Sequence, residues 1–105
     1  MTAQSERIER TALRNLVFNE EYTRRVIPFI RKEYFEDRAE RTIFEEIQKF
    51  VTEYNKNPTR ETLEIDLQKR KDLNETEYNR IVDIIKSLNP QDVDLDWLIN
   101  TTEKF

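Results

Sequence analysis

The sequence predicts an all-α fold, a compact bundle of about six helices, and three observations carry that prediction. Apolar residues recur at spacings of three and four along most of the chain, and no stretch sustains the alternation of a half-buried strand. The 105 residues contain no glycine, where average usage would supply roughly seven. Three prolines and a scatter of Asn and Asp are left to punctuate the chain, few enough for helices joined by short corners.

The first helix is expected to start after Ser5, an N-cap residue with Glu6 in the first turn, and to bury Ile8, Ala12, Leu13, Leu16 and Val17. Asn19 ends it, as asparagine is the best C-cap after glycine. A short second helix runs from about Glu20 to Phe29 with Tyr22, Val26, Ile27, Phe29 and Ile30 on its apolar side, and Pro28 kinks or stops it. Glu33-Tyr34-Phe35 is a brief apolar plug between charges.

Asp37 caps the third helix, from about Arg38 to Asn55, whose apolar stripe is Ala39, Ile43, Phe44, Ile47, Phe50, Val51 and Tyr54. Glu40, Arg41, Glu45, Gln48, Lys49 and Thr52 are expected on its opposite, solvated face. Asn57-Pro58-Thr59 breaks the chain, and Thr59 restarts it as the N-cap of a fourth helix reaching about Lys71, with Leu63, Leu67 and Ile65 as inward candidates. Asn74-Glu75-Thr76-Glu77 reads as a capping box for a fifth helix to about Leu88, burying Tyr78, Ile81, Val82, Ile85 and Leu88. Asn89-Pro90 stops it. Asp94 caps a sixth helix with Leu95, Leu98, Ile99 and Thr102 on one face and Trp97 in the core, running into the C-terminus at Phe105. A final helix without a stop signal suggests that the natural chain continues.

A chain of this length is expected to be one domain over residues 1–105. Charged residues make up 38%, hydrophobic ones 36%, and the mean hydropathy is -0.90. The large, periodic apolar residues nevertheless separate it from disordered chains, which are poor in aromatics. No apolar run approaches the roughly 20 residues of a membrane helix, and the N-terminus has no hydrophobic signal region. Zero cysteine fits a reducing compartment, so the expected location is the cytoplasm.

The composition also excludes chemistry. Without glycine there is no phosphate-cradling loop, no dinucleotide fingerprint and no glycine nucleophile elbow. Without His or Cys there is no imidazole or thiol catalysis and none of the usual zinc sites. No catalytic, cofactor-binding or metal-ligating residue is expected. Acidic groups are abundant at Glu20-Glu21, Glu36-Asp37, Glu45-Glu46 and Asp92/Asp94/Asp96. The last mimics the start of a calcium loop but lacks its glycine and closing Glu, which leaves helix capping and solvated faces as the reading of all four.

A formal net charge of -4 opposes the phosphate backbone of nucleic acids. Basic residues are dispersed apart from Lys69-Arg70-Lys71, which suits the C-terminal end of a helix dipole. The corner at Asn57-Pro58-Thr59 admits a helix-turn-helix alternative, with the fourth helix presenting Arg60, Glu61, Glu64, Lys69 and Arg70. Its mixed or acidic first turns suit phosphates badly, and direct DNA binding is not expected.

The segment Thr11 to Leu67 resembles the N-terminal domain of DnaB-type replicative DNA helicases, most closely the phage versions. The matching pieces are Leu13-Arg14-Asn15-Leu16-Val17-Phe18-Asn19, Tyr22 through Ile30, Glu33-Tyr34-Phe35 and Arg41-Thr42-Ile43-Phe44-Glu45-Glu46-Ile47, followed by the break at Asn57-Pro58-Thr59 and by Leu63 and Leu67. Asn74-Glu75-Thr76-Glu77-Tyr78 and the closing segment from Trp97 to Lys104 look like the phage helicases in particular. The order and spacing of these pieces carry the likeness more than any one of them.

The resemblance implies a non-catalytic collar domain of a ring-shaped helicase, with helicase subunits and primase as partners. It implies a separate ATP-hydrolysing motor domain elsewhere in the parent chain, and host cytoplasm as the location if the gene is a phage's. A stand-alone replisome adaptor or a small DNA-binding regulator are the alternatives. As contact residues the exposed members of the Tyr34-Phe35 plug and Phe105 are expected.

Overall fold

The computed structural model describes residues 7–104, and among these the chain is helical, with no strand. The elements are α1 (Ile8–Phe18), α2 (Glu20–Val26), a 3-10 turn (Lys32–Tyr34), α3 (Arg38–Tyr54), α4 (Arg60–Gln68), α5 (Glu75–Ser87) and α6 (Leu95–Glu103). The expected bundle of about six helices is therefore present. Its overall dimensions are 41 × 37 × 23 Å, a slab about two helices thick.

The long helix α3 is the hub, packing against α1, α4, α5 and the 3-10 turn. α2 leans on α1, and α6 reaches the body through α2. Leu13, Leu16, Tyr22, Phe35, Ile43, Phe44, Ile47, Leu63, Leu67, Ile81, Ile85, Leu88 and Leu98 are all essentially removed from water and form one continuous core. Four predicted N-caps are made as their residue types require. Asp37, Thr59, Asn74 and Asp94 each accept a backbone N–H from the residue three positions on, and Asn74 and Glu77 complete the capping box. Ser5 lies outside the described residues. The residue at the N-cap of α1 is Arg7, which makes no side-chain cap.

With no glycine, side chains help to close several of the other helix ends, while α2, α4 and α6 close on backbone N–H groups of Ile27, Ile30, Lys69, Arg70 and Lys104. Asn55 adopts the left-handed conformation at the end of α3, φ 56° and ψ 37°, the place where glycine is most frequent. Asn19 ends α1 with its backbone N–H on the Asn15 carbonyl, while its side chain caps α2 by accepting from the Tyr22 N–H at 3.1 Å. At the end of α5, Ser87 Oγ donates to the Ile84 carbonyl, Asn89 Nδ2 to the Ser87 carbonyl and Arg60 Nη1 to the Leu88 carbonyl at 2.9 Å. Carbonyls that would otherwise be orphaned at the ends of α1 and α5 are thus taken up by Asn, Ser and Arg.

Several expected placements differ. α2 stops at Val26 rather than Phe29, because Pro28 has no N–H to continue the ladder, and Phe29 is left partly in water. α4 stops at Gln68 rather than near Lys71. Ile65 lies roughly 200° around that helix from Leu63 and is 56% exposed. Trp97 falls beside the buried Leu98, Ile99 and Thr102 stripe and is 53% exposed, not in the core. Tyr54, also expected inward, is largely exposed and stacks on Phe50 at 4.6 Å.

The largest departure is on the face of α3 assigned to solvent. Glu40 has no exposed surface. It takes Arg7 Nη2 at 2.5 Å on one oxygen and Arg10 Nε at 3.0 Å on the other, which fastens the start of α1 to the start of α3. Its position in the first turn of α3 also places the carboxylate at the positive end of the helix dipole. Glu46 is likewise buried and holds Arg70 at 3.3 Å and Lys49 at 3.5 Å. Arg70 therefore folds back onto α3, bridging Glu45, Glu46 and Asp72, instead of extending α4. A buried carboxylate needs a cation, and that requirement outweighs another turn of helix.

A hydroxyl pair ties α6 to α2. Thr102 Oγ1 donates to the Leu98 carbonyl at 2.8 Å, so its single proton is used and the Tyr22 hydroxyl must donate to it, at 2.8 Å. Burial pushes the Tyr22 phenol well above its usual value, against a smaller opposing pull from Thr102.

Two predictions follow from these ties. Removing both guanidinium groups (Arg7→Ala with Arg10→Ala) strands the Glu40 carboxylate in the interior, at an expected cost of about 3–5 kcal/mol. Glu40→Met leaves two arginines able to turn to water and is expected to cost less than half as much. Urea denaturation of both variants checks the order, and equal losses would contradict it. The second prediction concerns pH. The folded-state pKa of Tyr22 is raised, so its contribution to stability is complete below about pH 10, the value of an unfolded tyrosine, and is lost as pH rises beyond it. The urea midpoint should be insensitive to this group up to that point and fall above it, and Tyr22→Phe should make the fall shallower.

Candidate interaction surface

The plug expected to face a partner is mostly core. Phe35 is wholly buried, packed between the Tyr34 ring edge at 5.2 Å and the Phe44 ring at 5.0 Å. Its ring offers no surface, because the carbonyls of Phe35 and Glu36 are held by Arg41 and this fixes the chain inward. Tyr34 is half-buried and lines a shallow cleft of about 390 Å³ with Phe29 and Thr102. Phe105 lies outside the described residues.

Two larger concavities share one side chain. Phe18, the last residue of α1, lines a cleft of about 760 Å³ with Asn15, Asn19 and the segment Pro90–Val93. It also lines one of about 650 Å³ with Val17, Pro58, Arg60 and Lys86. Phe18 is 38% exposed. Arg60 lies over its ring, the guanidinium carbon 5.7 Å from the centroid. The same guanidinium is fixed on the Leu88 carbonyl and on Asn89 Oδ1 at 3.3 Å. Asn57 Nδ2 binds the Val17 carbonyl at 3.2 Å and holds the α3–α4 corner against the end of α1. The walls of the second cleft are therefore tied together before anything binds.

The lining of that cleft is net acidic by one charge, three carboxylates against Arg60 and Lys86. Glu20, Glu61 and Glu64 line it, and among the described residues none of the three joins an ion pair. Asp92 lines the neighbouring cleft. Glu20 and Glu61 stand in first helical turns, where the dipole favours them. This surface was not visible in the sequence. The one local signal is a bulky aromatic at a helix end directly before a capping asparagine, with the apolar stripe of α1 already complete.

The remaining sequence-level candidates are placed as follows. The proposed recognition helix uses its basic residues internally: Arg60 on α5 carbonyls, Lys69 on Asp66 at 3.6 Å and Arg70 on Glu45, Glu46 and Asp72. Arg70 in turn holds the Asp72 carboxyl down to about 2. Asp94 caps α6 by accepting from the Trp97 N–H at 3.0 Å. Among the described residues no three His, Cys, Asp or Glu side chains converge where a metal ion could sit, and no helix is long and apolar enough to cross a membrane.

Residues 1–95 match the family described as the DnaB-like helicase N terminal domain. The chain is also similar to the DnaB-like replicative helicase of Enterobacteria phage T4, at 32% identity over 93 residues, an alignment that takes in 89% of this chain. It spans 19% of the length of that relative.

The geometry around Phe18 makes a stability prediction. Arg60→Ala uncovers the Leu88 carbonyl and frees the Phe18 ring, at an expected cost of about 1–2 kcal/mol. Arg60→Lys, with a compact ammonium in place of the planar fork, is expected to recover less than half of that. Thermal denaturation of the two variants checks it, and full recovery by lysine would show that charge alone suffices.

Proposed function

The chain belongs to the DnaB-like helicase N-terminal domain family, and on that premise we propose that it is the non-catalytic collar domain of a phage replicative helicase. In this reading it orders neighbouring helicase subunits and engages primase, while ATP hydrolysis belongs to a motor domain of the parent chain. The observation that carries the reading is the match over residues 1–95, which includes every helix from α1 to α5. The glycine-free sequence supports the division of labour, since a motor needs a phosphate loop and this stretch contains none. The internal use of Arg60 and Arg70 supports protein rather than DNA as the partner. The parent is an ATP-dependent DNA helicase, acting in the host cytoplasm.

Calorimetric titration of the cognate primase into this domain, and into a version extended by the sequence that follows Phe105 in the gene, tests the primase contact. Saturable heat in either titration is the expected result. No binding by both would remove primase from the proposal. An open frame with a phosphate-loop motif after Phe105 is expected, and its absence would favour a stand-alone adaptor.

A further inference from the structure

We propose that the cleft between the end of α1 and the α3–α4 corner is the docking site for a cationic amphipathic segment of a partner protein. The proposal deepens the reading of this domain as a contact module and rests on it. Phe18 supplies a partly exposed aromatic wall, with Val17 and Pro58 beneath it. A cleft of about 650 Å³ exceeds a single side chain and accommodates an apolar anchor with its neighbours.

Charge selects the occupant. Glu20, Glu61 and Glu64 border the cleft without an ion-pair partner among the described residues. Two cations line it as well. The Arg60 guanidinium keeps its charge, but its donors are used on the Leu88 carbonyl and Asn89, so the lining carries a net charge of -1 with three carboxylates against Arg60 and Lys86. A Lys or Arg flanking the anchor would neutralise that rim, and an acidic segment would meet like charge. Burying the anchor removes water around the carboxylates and strengthens the pairs they form. The hydrogen bonds of Asn57 and Arg60 hold the walls in place, so little ordering is required of this side.

Three synthetic peptides of about 14 residues, long enough for a few helical turns, test the site. The first carries Phe and Leu anchors at positions three and four apart with Lys between them, the second carries Glu in place of Lys, and the third has Ala in place of the anchors. Amide chemical shifts of the isotopically labelled domain report binding. The expected result is saturable shifts at residues 17–20 and 57–64 with the lysine peptide alone, weakened at least tenfold by the double variant Glu61→Gln with Glu64→Gln and by Phe18→Ala. Both sites are on the surface, and an unchanged thermal midpoint for the double variant confirms its fold. Absent saturation, equal binding of the glutamate peptide, or shifts centred elsewhere would overturn the proposal. Primase binding with unchanged affinity to Phe18→Ala would overturn this site and leave the proposed function standing. Lysine-peptide binding without primase binding would do the reverse.

Discussion

Closing six helices without a single glycine is the constraint from which the rest of the structure follows. Each α-helix leaves four carbonyls at its end without a partner, and glycine is the usual means of curling the chain back over them. Among the described residues asparagine takes the left-handed position at Asn55, and at the ends of α1 and α5 side chains reach in from other elements. Asn57 serves α1, Arg60 serves α5 and Arg41 holds the turn before α3. Helix closure thereby becomes tertiary structure. The side chain that caps one helix fixes the position of another, and the corners are held at definite places relative to the core.

The buried carboxylates extend the same principle. Glu40 and Glu46 lie on one helix, α3, and each gathers basic groups from a distant part of the chain. Burying a carboxylate is costly, and the cost is offset only when cations and hydrogen bonds surround it. The arrangement fastens the start of α1 and the segment after α4 to α3. Part of the charge of a chain that is 38% charged is thus used inside the fold, at Glu40 and Glu46.

Much of the fold was legible in the sequence. Helix number, the capping box at Asn74 and the caps at Asp37, Thr59 and Asp94 all follow from residue type and spacing. What was not legible depends on partners distant in the chain. Nothing local separates Glu40, which is buried, from Glu45, which is partly exposed. Arg70 looked like a dipole complement because two of its three acids, Glu45 and Glu46, lie some 24 residues away and the third, Asp72, is beyond the expected helix end. Trp97 was expected inside because its neighbours are apolar, yet helical geometry turns it away from Leu98 and Ile99. The Phe18 cleft was missed for the same reason, as it is assembled from the end of α1, the α3–α4 corner and the end of α5. The family was readable from the order of its pieces, and the Phe18 cleft was not.

We propose a contact domain whose partner-facing surface is built from helix ends. A structure of the full-length protein with the proposed primase partner tests this most directly. The account predicts that the helical core is unchanged on assembly and that the Phe18 cleft is covered by a partner segment with Lys or Arg at Glu61 and Glu64. A cleft open to solvent in the full assembly, with this domain touching neither a neighbouring subunit nor primase, would contradict it.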